Sequence, residues 1–346
     1  MRAVVFVEPG RVEVAEVAEP TVIETTDALV RVTRSAICGS DLHQLHGKTP
    51  TAAGQVLGHE AVGIVEAVGD EVATVGPGER VAVSFAVACG SCWFCRRGET
   101  HLCERAAVFG AGPFGGNLAG THAEMVRVPW ADVNLLRVET AVDDDRAVFV
   151  GDVLTTGFHA AMLADAGADD VVAVLGAGPV GWSVAASLRA LGVERVFLLD
   201  REPSRLSLGA VAGATAVHVG QRSAESALAE ATGDRGADVA IDAVGASDAY
   251  VDATTIVRRG GRVVVAGVYA GETVELQLGV AWARALDLRF TGVCPVHGSW
   301  HRVMDLIRQG TLDPLPLVSE HVSLDDAPSG YERFDRRAAM KVLIDP

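Results

Sequence analysis

Four cysteines crowd into one short stretch, Cys89-Gly90-Ser91-Cys92-Trp93-Phe94-Cys95 with Cys103 following. Thiolates at this spacing close a tetrahedron around a single borderline-soft cation, and four sulfurs leave no position for water or substrate. The expectation is a structural metal lobe held by Cys89, Cys92, Cys95 and Cys103. Gly90 permits the tight turn between the first two ligands, and Gly98 the return toward Cys103. His101 lies inside the loop and reads as a surface residue, because the sulfurs already fill the shell. The alternative is a surface loop of four unligated or disulfide-bonded cysteines.

A chain of 346 residues exceeds what one core usually organises, so two domains are expected. Hydrophobic residues make up 49%, yet no run approaches the roughly 20 apolar residues of a membrane span, so no membrane partner is expected. The N-terminus, Met1-Arg2-Ala3-Val4-Val5-Phe6-Val7-Glu8, reads as a strand without the form of a secretory signal. With six cysteines the chain is expected in a reducing cytoplasm. A formal net charge of −16 argues against nucleic acid as a partner, which would need a basic face.

The first 150 or so residues break into short valine- and glycine-rich runs at 28–32, 61–68, 80–84 and 123–128, the pattern of a compact β-rich domain. Two motifs precede the cysteine lobe. Cys38-Gly39-Ser40-Asp41-Leu42-His43 offers a thiolate, a hydroxyl, a carboxylate and an imidazole together, and Gly58-His59-Glu60 opens a run punctuated by Gly63 and Gly69. Alone, Cys38 and His59 would read as buried packing residues; beside a closed metal lobe they become candidate ligands.

Near residue 150 the pattern changes to alternating strands and helices, as in a parallel sheet covered on both faces. A buried strand at 170–175 runs into Gly176-Ala177-Gly178-Pro179-Val180-Gly181, then a helix at 182–191 and a strand at 196–200 ending in Asp200. This is the context a dinucleotide fingerprint requires: the glycines let the backbone approach a pyrophosphate, and the helix start favours its charge. Asp200 would accept hydrogen bonds from the ribose hydroxyls of NAD and repel the extra phosphate of NADP. Arg201 would receive such a phosphate if Asp200 turned away, and Arg205 is a candidate for the adenosine ribose side. The alternation continues through 239–242, a helix at 250–256, a strand at 262–268 and a last one near 288–291.

Taken together, these four motifs, in this order, resemble the zinc-dependent medium-chain alcohol dehydrogenase family over nearly the whole chain. The resemblance implies a mixed α/β architecture: a GroES-like catalytic domain over 1–150, completed by 291–346, with a doubly wound Rossmann domain over 151–290 inserted between. It implies a catalytic zinc on Cys38 and His59, with a third ligand from the segment entering the cofactor domain. There Asp152 stands, in Val150-Gly151-Asp152-Val153-Leu154-Thr155-Thr156-Gly157, where a second cysteine would occur in other members. This looks like the bacterial secondary-alcohol branch. Zinc accepts sulfur, nitrogen and carboxylate oxygen, and three protein ligands leave one position for alcohol or water.

By the same resemblance, Ser40 hydrogen-bonds the substrate oxygen and His43 ends a proton relay, with His46 as competitor. Asp41 would fix the His59 ring, and Glu60 would visit the metal or orient it; the alternative for Glu60 is a plain buried or paired carboxylate. Phe85 would line the substrate pocket or simply pack in the core. Thr156 and Val268 would meet the nicotinamide, and Lys341 would reach the pyrophosphate or be an ordinary exposed lysine. The expected activity is hydride transfer between NAD and a secondary alcohol or ketone, with two zinc ions per subunit, in a homo-oligomer, a tetramer rather than a dimer. The alternatives are a polyol, sugar or amino-alcohol dehydrogenase, a non-catalytic NAD-binding protein, and a zinc-free enone or quinone reductase.

Overall fold

Alternating apolar residues turn one face of the strand Ala28–Ala36 into a core, and Glu60–Val68, Arg80–Val83 and Met125–Val128 carry matching buried positions. The computed structural model describes residues 1–113, 115–271 and 273–346 and divides into two compact units. The first comprises Met1–Thr155 and Val293–Pro346, the second Thr156–Gly292. The first break lies beyond the expected 150 because the turn Val148–Gly151 packs with the β-rich unit, where the Gly151 carbonyl accepts from the Phe85 amide at 3.0 Å. Asp152 therefore belongs with Cys38 and His59.

In the first unit the sheet runs, in space, Val318–Ser323, Lys341–Asp345, Ala28–Ala36, Glu60–Val68, Arg80–Val83, Leu135–Arg137, with Met125–Val128 also pairing with Ala28–Ala36. Register decides what meets at one corner. Ala36 lies opposite Glu60 on one side and Leu343 on the other, so the approach to Cys38, the exit from His59 and the last strand converge. The cysteine loop is closed at its base by the short antiparallel pair Ala86–Val87 and Ala107–Val108.

Among its described residues the second unit holds six parallel strands in the order Thr215–His218, Arg195–Asp200, Val171–Leu175, Ala237–Asp242, Val257–Val265, Asp287–Phe290. Val171–Leu175 is buried at every position, as a central strand covered on both faces must be. Chain order reverses beside it, which opens a crevice at the carboxyl ends of the strands. The helix expected from 182 begins earlier, as Pro179–Ala190, because proline is pre-organised for the first helical position and loses no hydrogen bond there. The strand expected to reach 268 stops at Val265, where the Ala266 and Gly267 amides turn to the Asp242 carbonyl at 2.8 and 3.0 Å. Among the described residues no single helix is long and apolar enough to cross a membrane.

Candidate active site and metal centres

Cys38, His59, Glu60 and Asp152 converge in the first unit, each buried, with one ligand atom apiece lying within 4.8 Å of the others. His59 follows Gly58, whose φ of +90° lets the chain turn into the pocket. Its Nδ1 is 3.1 Å from Asp41 Oδ1, and Asp41 Oδ2 accepts from the Cys38 amide at 2.8 Å. One carboxylate on the short helix Asp41–Leu45 thus orients the imidazole and anchors the backbone of the cysteine. With Nδ1 engaged, Nε2 faces the pocket, 3.2 Å from Asp152 Oδ2 and 3.2 Å from Ser40 Oγ. Cys38 Sγ lies 3.7 Å from Asp152 Oδ2. The Phe85 ring stands edge-on to His59 at 6.1 Å, half-buried, so it borders the same pocket.

The electrostatics favour a cation. Burial disfavours charge on His59, yet Asp41 and Cys38 outweigh it and hold the imidazole well above its usual pKa. Burial likewise pushes the Cys38 thiol up, and Glu60 and Asp152 push it further. Glu60 is raised to about 7, first by burial and then by Asp152, against the pull of Lys341. Several acidic groups therefore share one lysine for neutralisation, and a divalent ion on the sulfur, the imidazole and a carboxylate fits both the charge and the donor chemistry.

Lys341 corrects an expectation. Far from being exposed or reaching a pyrophosphate, it is wholly buried in the first unit, its Nζ 2.7 and 2.6 Å from the two oxygens of Glu60. The strand Lys341–Asp345 turns this side chain inward beside the ligand corner, and a buried ammonium stays only where a carboxylate faces it. Glu60 is thus buried and paired with Lys341 while remaining one of the four converging groups. His43 sits half-buried on the helix Asp41–Leu45 and is not one of the converging four. His46 points elsewhere, to Asp335 at 2.9 Å.

In the cysteine lobe the four sulfurs also lie within 4.8 Å of one another. Cys92 Sγ and Cys103 Sγ are 3.9 Å apart, close to the edge of about 3.8 Å that zinc–sulfur bonds of about 2.3 Å give a tetrahedron. The Cys89 and Arg105 amides each donate to Cys103 Sγ at 3.3 Å. Burial raises the Cys89 thiol, but the Ser91 amide and hydroxyl and the Cys92 amide bring it down to about 6. Cys95 is pushed to about 12 by burial and by the thiols of Cys92 and Cys103. The lobe is clamped by residues that the sequence does not advertise. Asn134 accepts from the Ala88 amide and donates to the Ala88 carbonyl, both at 2.9 Å, while His297 Nε2 meets Asn134 Oδ1 at 2.9 Å and Nδ1 meets Thr100 Oγ1 at 3.0 Å.

In the second unit, Gly176 has φ +94°, and a Cβ on Gly181 would lie 1.8 Å from the Gly176 carbonyl oxygen. Both glycines are therefore required by the turn itself. Asp200 accepts from the Ala177 and Arg201 amides at 2.6 Å each and from the Glu202 amide at 2.9 Å, so its carboxylate is fixed against the glycine turn. Arg201 reaches out to Asp248 at 3.0 Å, and Arg205 lies over Gly178, its Nη1 3.8 Å from where a Cβ would be. Pro179 and Val180 open the helix behind that turn. The opposite wall is set by Asp242, which caps the Val244 and Gly245 amides and accepts from Tyr269 Oη at 2.5 Å. Val268, exposed, has its amide against Gly245. Thr156 is half-buried in the first turn of Val153–Ala164.

Comparison with known proteins adds to this geometry. Residues 24–138 match the family described as alcohol dehydrogenase GroES-like domain, and residues 179–309 that described as zinc-binding dehydrogenase. A probable zinc-binding alcohol dehydrogenase of Mycobacterium tuberculosis is 37% identical over 332 residues, covering 96% of this chain and 84% of that protein. The structure of an alcohol dehydrogenase from Thermus sp. ATN1 superposes with a TM-score of 0.95 at 41% identity, covering 100% of this chain and 99% of its own. A zinc-binding dehydrogenase from Sinorhizobium meliloti, solved with NADP bound, superposes at 0.87 with 30% identity, over 100% of this chain and 99% of its own.

Proposed function

This chain belongs to the zinc-dependent medium-chain alcohol dehydrogenase family, and we propose that it transfers hydride between NAD and a secondary alcohol or its ketone. The convergence of Cys38, His59 and Asp152 in one buried, cation-seeking pocket carries this reading. Zinc on those three residues would supply a Lewis acid with one open position, which acidifies an alcohol occupying it. NAD, held by residues of the second unit, would supply the hydride acceptor.

The chain's own residues do the rest. Asp41 keeps Nε2 of His59 aimed into the pocket, and Lys341 neutralises Glu60 so that the cluster can stay charged out of water. Ser40 Oγ, 3.2 Å from Nε2, stands where it would take a proton from an entering hydroxyl and pass it toward His43. Phe85 supplies an apolar border against which an alkyl substituent would lie. The cofactor-binding set is Gly176, Gly178, Pro179, Val180, Gly181, Asp200, Arg201, Arg205, Thr156 and Val268. NAD is preferred over NADP because Asp200, held by three backbone amides, keeps negative charge where a 2′-phosphate would come.

The proposal includes a second, structural zinc on Cys89, Cys92, Cys95 and Cys103, whose reduced thiols suit a cytoplasmic location. It also includes self-association, as a tetramer, in which the outer strand Asp287–Phe290 is one of the contacts. Asp287 and Arg289 pair with each other, and Asp287 with Arg262, inside the chain, so the contact would rest on the open strand edge and on the exposed Trp282 and Phe290.

Initial rates with NAD and with NADP, across matched secondary alcohols, primary alcohols and polyols, each with a chelator control, test the reading. Chelator-sensitive turnover with NAD on secondary alcohols is expected. Turnover confined to polyols would move the substrate class, and protein free of zinc after purification in zinc-replete medium would remove the metal chemistry altogether.

A further inference from the structure

His122 is a wholly buried histidine that hydride transfer does not use, and its surroundings tie it to both segments that carry catalytic ligands. Its Nε2 lies 3.1 Å from the carbonyl oxygen of Ala36, two residues before Cys38. Its ring occupies the space that Gly58 leaves by lacking a side chain: a Cβ there would fall 2.2 Å from Cδ2 of His122. Gly58 directly precedes His59. The backbone repeats the connection, since the His122 amide donates to Leu57 at 3.0 Å and the Thr121 amide to Gly58 at 3.0 Å. Thr121 Oγ1 and Ser35 Oγ both donate to the Glu60 carbonyl, at 3.2 and 2.7 Å.

The hydrogen bonds fix the state of the ring. A carbonyl oxygen only accepts, so Nε2 must carry the hydrogen. A neutral imidazole then has Nδ1 as acceptor, and the atom 3.0 Å from Nδ1 is the hydroxyl of Tyr331, which donates. Tyr331 is itself buried, on the helix Ala327–Asp335 of the C-terminal segment. Its ring stands edge-on to the imidazole at 5.7 Å.

We propose that Tyr331 and His122 form a buried strut that sets the spacing of Cys38 and His59, making them positioning residues for the catalytic metal. The proposal rests on the zinc reading above, and the strut acts on metal retention rather than on the reacting atoms. In Tyr331→Phe the imidazole keeps the tautomer that the Ala36 carbonyl sets but loses the donor at Nδ1 that holds its orientation. Hydrogen bonds made directly to a ligand, as Asp41 makes to His59, typically change metal affinity about 10- to 100-fold when removed, and a strut one bond further out should act at the lower end of that range. The cysteine lobe draws no ligand from either segment and should not respond.

The test is zinc release from the purified holoenzyme into excess chelator with a metallochromic indicator, which resolves the catalytic and lobe ions as separate phases. Expected for Tyr331→Phe is a faster catalytic phase, by about tenfold, with the lobe phase unchanged. His122→Gln, whose amide still offers one donor and one acceptor, should return most of the retention, whereas His122→Leu should not. Phe334→Leu, in the same buried cluster and on the same helix, controls for general loosening: it should lower the thermal midpoint without accelerating release. If Tyr331→Phe releases both ions at the wild-type rate, or Phe334→Leu speeds the catalytic phase equally, the strut is packing alone and the proposal falls while the zinc reading stands. If wild-type protein holds zinc only in the cysteine lobe, the zinc reading and the strut fall together.

Discussion

His297 shows how one side chain can make the cysteine lobe sensitive to pH. It bridges Thr100 and Asn134 as a neutral ring: the Thr100 hydroxyl supplies a donor to Nδ1 and the Asn134 oxygen accepts from Nε2. Burial holds its pKa at about 4, below the usual 6.5. Between those values the unfolded chain binds a proton that the folded chain refuses, so stability is complete above pH 6.5 and falls as pH drops toward 4. The whole effect is on the order of 3 kcal/mol. Urea unfolding of the zinc-loaded protein at pH 7.5 and pH 5, beside His297→Gln, measures it. The wild type is expected to lose more stability than the variant over that interval, and equal losses would mean the ring is not the sensor. Residues of this kind are the ones a sequence conceals. The four lobe cysteines were legible because ligand chemistry needs thiols at that spacing; Cys38 and His59 became candidate ligands only beside that lobe, and Asp152 only through the family resemblance. Nothing about Lys341 said that strand register would aim it at Glu60, and nothing about Asn134 said that it would brace Ala88, the residue before Cys89.

At the scale of elements, the helix Pro179–Ala190 sets two rules against each other at Gly181. By helix propensity, alanine there would gain up to about 1 kcal/mol over glycine. By packing, its Cβ would meet the Gly176 carbonyl at 1.8 Å, and the backbone of a turn at φ +94° cannot yield as a flexible side chain would. The clash should win, by about 2 kcal/mol net. Gly181→Ala is therefore expected to lower the thermal midpoint and weaken NADH binding in titration calorimetry; a stabilised variant would show that the turn relaxes. The glycine turn and the strands beside it were readable because their periodicity and punctuation are local. Element ends were less so, since they depend on distant partners: the strand Val257–Val265 ends where Asp242 captures the next two amides, and Asp242 is far off in sequence.

Across the whole molecule, a chain of net charge −16 should repel its copies at long range unless a face offers enough to overcome it. The self-association proposed above would place that face on the second unit. Trp282 is 82% exposed and Phe290 67%, with Leu278 also exposed, beside the open outer strand Asp287–Phe290. An open strand edge with aromatic neighbours is a liability in a monomer and a template for pairing with a second copy. Salt acts on this contact in one direction: screening weakens the long-range repulsion, while burial of Trp282 is insensitive to it. Association should therefore tighten from low to moderate ionic strength. Trp282→Asp would place a charge beside the strand edge and is expected to shift sedimentation velocity toward a smaller species at equal concentration, with zinc content unchanged. If the variant sediments as the wild type does at both salt concentrations, the copies meet elsewhere and this edge is not part of the assembly.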